Sequence, residues 1–188
     1  MRVIAGNCKG KKLFSPVSDR IKPTSDKVKG AIFSMIGEHL YGAVVIDLFS
    51  GTGNLGLESL SRGAEYCYFC DISAESNKLI KKNMLHCGVS AGEILRGGYA
   101  EALKRVRRKA DIIFLDPPYR SKCYEDCFSM ISDCEILNED GLIVAEYSRA
   151  NPMPGQIREF QRIKEKRYGG TGVSVYSRGC PPGGGGGI

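Results

Sequence analysis

The stretch Asp47-Leu48-Phe49-Ser50-Gly51-Thr52-Gly53-Asn54-Leu55-Gly56 constrains this chain more than any other. It follows an apolar run, Ala43–Phe49, that reads as a buried strand, and it leads into a helix running to about Arg62. Glycines let the backbone turn tightly and approach a ligand, while the helix behind them presents free N–H groups. Gly51-Thr52-Gly53-Asn54-Leu55-Gly56 fits G-x-G-x-x-G, and Asp71 lies twenty residues beyond Gly51. In the dinucleotide fingerprint an acid at that distance holds ribose hydroxyls. The motif therefore points to a nucleoside site and leaves open whether the ligand is a nicotinamide dinucleotide or another adenosine-bearing cofactor. A glycine turn that merely opens a helix is the plain alternative.

The alternation continues along the chain. Strands are expected at Tyr66–Cys70, Glu93–Arg96, Asp111–Leu115 and Leu142–Glu146, the last after the turn Asn138-Glu139-Asp140-Gly141. Helices are expected at Ala74–Cys87, through Ala100 and Val106, and at Tyr124–Cys134. Residues 161–168 and 173–177, separated by Gly169-Gly170-Thr171-Gly172, look like a closing hairpin. Such alternation implies an α/β fold with a mainly parallel, doubly wound sheet and right-handed crossovers. Ahead of it, Arg2–Ala5 and Lys11–Ser15 flank a hairpin connection. Thr24 or Ser25 can then cap a helix whose apolar face is Val28, Ala31, Ile32, Met35 and Ile36. The expected organisation is a basic hairpin-and-helix extension over 1–40, a core over 41–178 and a flexible glycine-rich tail over 179–188.

Charge is unevenly spread. Residues 1–30 hold eight basic and two acidic side chains, and the other 158 residues hold as many acids as bases. This asymmetry suits a footprint for a polyanion, formed by Arg2, Lys9, Lys11, Lys12, Arg20, Lys22 and Lys27, or else a solvated basic arm. The run Lys104–Lys109 either extends that footprint or is a solvated helix end. No apolar run approaches the roughly 20 residues that cross a bilayer, and Met1–Gly6 lacks the apolar core of a signal peptide. A cytoplasmic protein is expected. Its eight cysteines include Cys67 and Cys70 at C-x-x-C spacing, but inside an apolar strand where residues three apart face opposite ways. Packed, reduced thiols and no metal are therefore expected.

The second informative motif is Asp116-Pro117-Pro118-Tyr119, directly after the strand Asp111–Leu115 and at the carboxyl end where open α/β sheets bind ligands. Two prolines remove backbone donors and leave carbonyl acceptors. Asp116 adds a carboxylate and Tyr119 an aromatic face. The set suits an exocyclic amine held by acceptors while its ring rests on tyrosine.

These residues resemble the (D/N)PP(Y/F) signature of class I methyltransferases that act on amino nitrogens. Arg2-Val3-Ile4-Ala5-Gly6, Lys22-Pro23-Thr24-Ser25-Asp26-Lys27-Val28, Ala31-Ile32-Phe33 and Leu57-Glu58-Ser59-Leu60-Ser61-Arg62-Gly63-Ala64 resemble the RsmD family of bacterial 16S rRNA guanine-N2 methyltransferases. The likeness covers residues 1–178. It implies a Rossmann-like, seven-stranded, mostly parallel sheet with an antiparallel last strand, and S-adenosylmethionine as cofactor. It implies a cofactor site at Asp47, Phe49, Gly51, Gly53, Asp71, Ile72, Tyr99 and Asp116, with Asp116, Pro117 and Tyr119 at the methyl-transfer centre. It also implies 16S rRNA or a small-subunit ribosomal particle as partner, for an enzyme acting as a monomer. Two departures stand out. Gly97-Gly98-Tyr99 occupies the place where many relatives carry an acid against adenine, and Lys22 replaces the more usual arginine. The rival readings are a DNA amino-methyltransferase, a nicotinamide dehydrogenase and a non-catalytic RNA-binding module. The first would need a separate sequence-reading domain, and the others leave part of the motif set unused.

Overall fold

Two largely apolar strands, Val44–Leu48 and Ala110–Leu115, each interrupted by one aspartate, lie side by side in the middle of one eight-stranded sheet. The computed structural model describes residues 1–16, 25–117 and 123–179. In chain order its elements are α1 (Asp26–Ile36), β1 (Val44–Leu48), α2 (Asn54–Ser61), β2 (Tyr66–Asp71), α3 (Ala74–Cys87), β3 (Gly92–Arg96), α4 (Tyr99–Arg105), β4 (Ala110–Leu115), α5 (Tyr124–Asp133), β5 (Leu137–Ser148), β6 (Gln156–Ile157), β7 (Phe160–Tyr168) and β8 (Thr171–Arg178). The strand order is β3-β2-β1-β4-β5-β8-β7-β6. The first five strands pair in parallel, and β8 runs antiparallel between β5 and β7. The reversed last strand is thus as expected, and the eighth strand is the two-residue edge β6.

Both faces are covered, which is why β1 is buried throughout and apolar except for Asp47 rather than alternating. Val45, Phe69, Phe114 and Val144 face a core closed by α1, α2 and α3. Ile46, Cys70, Ile113 and Ile143 face a second core closed by α4 and α5. Cys67 and Cys70 fall on opposite sides of the sheet, as their spacing requires. Ser25 caps α1, its hydroxyl accepting the Val28 N–H at 3.3 Å, and Ser73 caps α3 in the same way from Ser76.

One expected turn is instead part of a strand. Asn138-Glu139-Asp140-Gly141 lies inside β5, where Ala110 pairs with Leu137 but Ile112 pairs with Leu142. The extra residues bulge out of the ladder and are held by Asn138, which donates to Asp111 Oδ1 at 2.7 Å. No helix among the described residues is long and apolar enough to cross a membrane. The expected tail beyond Gly179 lies outside the described residues.

Candidate cofactor and substrate site

The register Leu48↔Leu115 makes Phe49 and Asp116 the next residues out of adjacent parallel strands, which run about 4.8 Å apart. The chain then reverses sharply after β1. Phe49, Gly51 and Gly53 have φ of 69°, 57° and 78°, and Phe49 is a rare non-glycine residue in that region. Ser50 fastens the reversal to β2, donating its N–H to the Cys70 carbonyl (3.0 Å) and accepting the Cys70 N–H on its hydroxyl (2.8 Å).

Asp47 supports this turn from beneath. It is 2% exposed and accepts the Gly56 N–H at 2.9 Å. Burial pushes its carboxyl up to about 7, against the opposing pull of the Gly56 N–H, and the nearby Asp71 charge pushes it further up. Gly56 lets α2 lie directly on the sheet. A Cβ there would sit 2.3 Å from Phe69 Cε1 and 2.6 Å from Cys67 Sγ.

Asp71 reaches from the end of β2 into the turn. Its Oδ2 accepts the Gly51 N–H and its Oδ1 the Ser73 N–H, both at 2.8 Å. Ile72 follows with its side chain in solvent, 78% exposed. Tyr99 opens α4 after β3, its ring centroid 5.8 Å from that of Phe49 and its hydroxyl 3.5 Å from Asp126 Oδ2 on α5. Burial, and then the Asp126 charge, raise the Tyr99 phenol above its usual range. Phe49, Gly51, Asp71, Ile72, Tyr99 and Asp116 thus converge on the carboxyl ends of β1 to β4. Asp116 is half-buried and Pro117 buried. Tyr119 lies outside the described residues.

These features fit an adenosine cofactor. A carboxylate at the end of the second strand can take hydroxyls, an exposed isoleucine beside it gives a flat apolar support, and a pair of aromatic rings closes the far side.

The cationic residues expected to meet RNA divide into groups. Lys9 and Lys12 are exposed on the hairpin. Arg2 pairs with Asp26 at 2.9 Å, and the Lys11 ammonium donates to the His86 and Cys87 carbonyls at the end of α3. The Lys27 ammonium sits 5.8 Å above the Tyr168 ring. Arg20 and Lys22 lie outside the described residues. Lys29, counted in the sequence as part of the basic arm, is fully buried and bound to Glu58. Glu58 also accepts the Ile4 and Ala5 N–H groups, so the N-terminal segment is welded to α2. Sequence reasoning missed this link and the Asp126 partner of Tyr99.

The strand order, with one reversed strand between β5 and β7, the glycine turn after β1 and the acid–proline pair after β4 define a Rossmann-like class I methyltransferase, a class that uses S-adenosylmethionine. The family described as Conserved hypothetical protein 95 matches residues 1–177, and the chain belongs to it, the RsmD family of methyltransferases. YlbH of Bacillus subtilis is 36% identical, over 95% of this chain and 99% of its own. A Haemophilus influenzae protein named ribosomal RNA small subunit methyltransferase D is 29% identical, over 94% of this chain and 93% of its own. The solved structure of the Escherichia coli protein yhhF superposes with a TM-score of 0.86 at 26% identity, covering 95% of this chain and 97% of that one.

Proposed function

We propose that this enzyme methylates the exocyclic N2 amine of a guanine in 16S rRNA, acting as a cytoplasmic monomer on the RNA or on a small-subunit ribosomal particle. The carrying observation is the adjacency of Phe49 and Asp116, which sets the cofactor turn beside an acid–proline acceptor pair. The names of the curated relatives support ribosomal RNA as the substrate class. S-adenosylmethionine, when bound, supplies an electrophilic methyl group on a sulfonium. Asp47, Phe49, Gly51 and Gly53 shape the turn that holds it, Asp71 takes the ribose hydroxyls, and Ile72 and Tyr99 enclose the adenine. Asp116 and the Pro117 carbonyl accept hydrogen bonds from the guanine amine and aim its lone pair at the methyl group, so catalysis is mainly positioning. As the new N–C bond forms and the S–C bond breaks, the amine's proton passes to Asp116 or to water. Tyr119 stacks on the base turned out of its helix or loop. Arg2, Lys9, Lys11, Lys12, Arg20, Lys22 and Lys27 grip the phosphates.

The test is transfer of radiolabelled methyl from S-adenosylmethionine to RNA from cells lacking the enzyme, followed by nuclease digestion. Label on N2-methylguanosine of 16S rRNA, lost in Asp116→Ala, is the expected result. Absence of label from both purified RNA and ribosomal particles, with cofactor binding intact, would overturn the rRNA assignment.

A further inference from the structure

The charge of this chain has three parts rather than two. Residues 149–178 carry seven basic and two acidic side chains, while residues 31–148 carry twelve basic and seventeen acidic. A basic segment therefore stands at each end of the chain, and the acidic middle conceals the second one in any count over the remainder. The fold brings the two together. Helix α1, which begins within the first basic segment, packs against β7 and β8, which lie in the second.

The meeting of the two is specific. Lys164, Lys166 and Tyr168 alternate onto the face of β7 that borders α1, the first two exposed and Tyr168 packed against the core that α1 closes. Lys164 donates to the Met35 carbonyl at 2.7 Å, and Tyr168 lies under the Lys27 ammonium, within the range of a cation–π contact. Lys166, between them, is exposed. The acid of this strand is already committed: Glu165 pairs with Arg162 and Arg167 and accepts the Tyr147 hydroxyl, which holds its carboxyl below the usual range.

The same surface reaches the reaction centre. Strand β7 runs in the direction of β4 and β5, so Tyr168 lies at the end of the sheet where Asp116 leaves β4. In the order β4-β5-β8-β7 those ends are three strand spacings apart, about 14 Å. Arg149 lies in between, just past the end of β5. It fixes the Gly169-Gly170 turn by donating from its guanidinium to the Gly169 carbonyl (2.8 Å) and from its backbone to Gly170 (2.9 Å).

We propose that Arg149, Lys166 and the Gly169-Gly170 turn form a second phosphate-binding wall, continuous with Lys27, that carries the backbone of the RNA strand whose target base reaches Asp116. The proposal rests on the rRNA reading above and adds a surface at the opposite end of the chain.

RNA binding as a function of salt tests it, using 16S rRNA fragments and an unrelated single-stranded RNA. Lys166→Ala and Lys166→Glu are compared with Lys81→Glu, an exposed charge on α3, the helix that packs on β2 and β3 at the other edge of the sheet. Each phosphate contact removed lowers the slope of log K against log salt by about 1. The expected result is a slope lower by about 1 in Lys166→Ala, weaker binding of both RNAs, a further loss in Lys166→Glu, and unchanged cofactor affinity and thermal midpoint. Lys81→Glu should leave the slope unaltered. Methylation of rRNA with wild-type slope and affinity in both Lys166 variants would overturn the second wall and leave the rRNA reading standing. A wild-type enzyme that bound an acidic protein and no RNA would overturn both.

Discussion

The Lys29 ammonium lies 3.0 Å from the Glu58 carboxylate, and neither side chain is exposed to solvent. The same ammonium donates to the Arg2 carbonyl and, at 2.8 Å, to Asn54 Oδ1, while Arg62 binds the other oxygen of Glu58 at 2.7 Å. Burial draws the Lys29 pKa down and the Glu58 charge draws it back up. One ion pair thus joins the N-terminal segment, α1 and the first turn of α2, where the cofactor turn ends.

Removing Lys29 leaves the buried Glu58 charge to the part-exposed Arg62 and two backbone N–H groups alone. Lys29→Met should destabilise the fold by about 3–5 kcal/mol, and Lys29→Met with Glu58→Gln should recover much of that loss. Urea unfolding measures both, and an unchanged midpoint in the single variant would show that the pair does not hold the arm in place.

Asp47 gives the stability a pH dependence of known sign. Its carboxyl rises from an ordinary 3.8 to about 7 in the folded protein. Between those values the folded state holds this proton more tightly than the unfolded chain does. The stability it contributes is complete below the unfolded value and is lost as pH rises through about 7. Wild-type stability should therefore fall, relative to Asp47→Asn, by a few kcal/mol between about pH 4 and pH 7. The variant keeps a carbonyl acceptor for Gly56. Parallel pH series by scanning calorimetry would refute this if the two curves ran together.

Gly56 and Gly10 separate close packing from backbone strain. Gly10 has φ of 86° and open space around its would-be Cβ, so Gly10→Ala should cost about 1 kcal/mol. Gly56 has an ordinary helical backbone but would place a methyl group against Phe69 and Cys67, so Gly56→Ala should cost about 1–3 kcal/mol or more. It should also weaken cofactor binding, because α2 carries the end of the turn. Equal costs, or the reverse order, would contradict the role assigned to Gly56.

Two substitutions test the cofactor side of the site by titration calorimetry with S-adenosylmethionine. Asp71→Ala removes the acceptor of the Gly51 N–H and the acceptor proposed for the ribose hydroxyls, and affinity should drop by about tenfold to a hundredfold. Tyr99→Phe keeps the ring against Phe49 and should bind nearly as well as wild type, while Tyr99→Ala should lose about tenfold or less. Loss of affinity in Tyr99→Phe as large as in Tyr99→Ala would move the recognition from the ring to the hydroxyl and its Asp126 partner.

The elements that local chemistry dictates were legible. Helix α3 has the bounds expected of it, Ala74–Cys87, and the glycine turn and Asp116-Pro117 stand at the ends of the strands expected to carry them. What failed depends on partners far along the chain. Asn138–Gly141 has turn composition, and only pairing with β4 makes it a bulged strand. Lys29 looks like one more cation of a basic arm until Glu58, twenty-nine residues later, folds against it. The basic character of β7 was hidden by averaging over an acidic middle.

The hydrogen bond from Lys164 to Met35 spans 129 residues and sets an order of events during synthesis. At ordinary elongation rates the ribosome takes on the order of ten seconds to make the chain between them. Until then α1 lacks β7 and β8, although the glycine turn and β4, whose Phe114 meets Phe33 of α1, have already emerged. A half-made enzyme would thus own its cofactor cradle and its N-terminal cations before the second wall proposed on β7 joined them, so nascent chains would hold RNA with only part of that surface. Chains stalled before Lys164 should leave α1 open to protease, and protection at that stage would dispose of the idea.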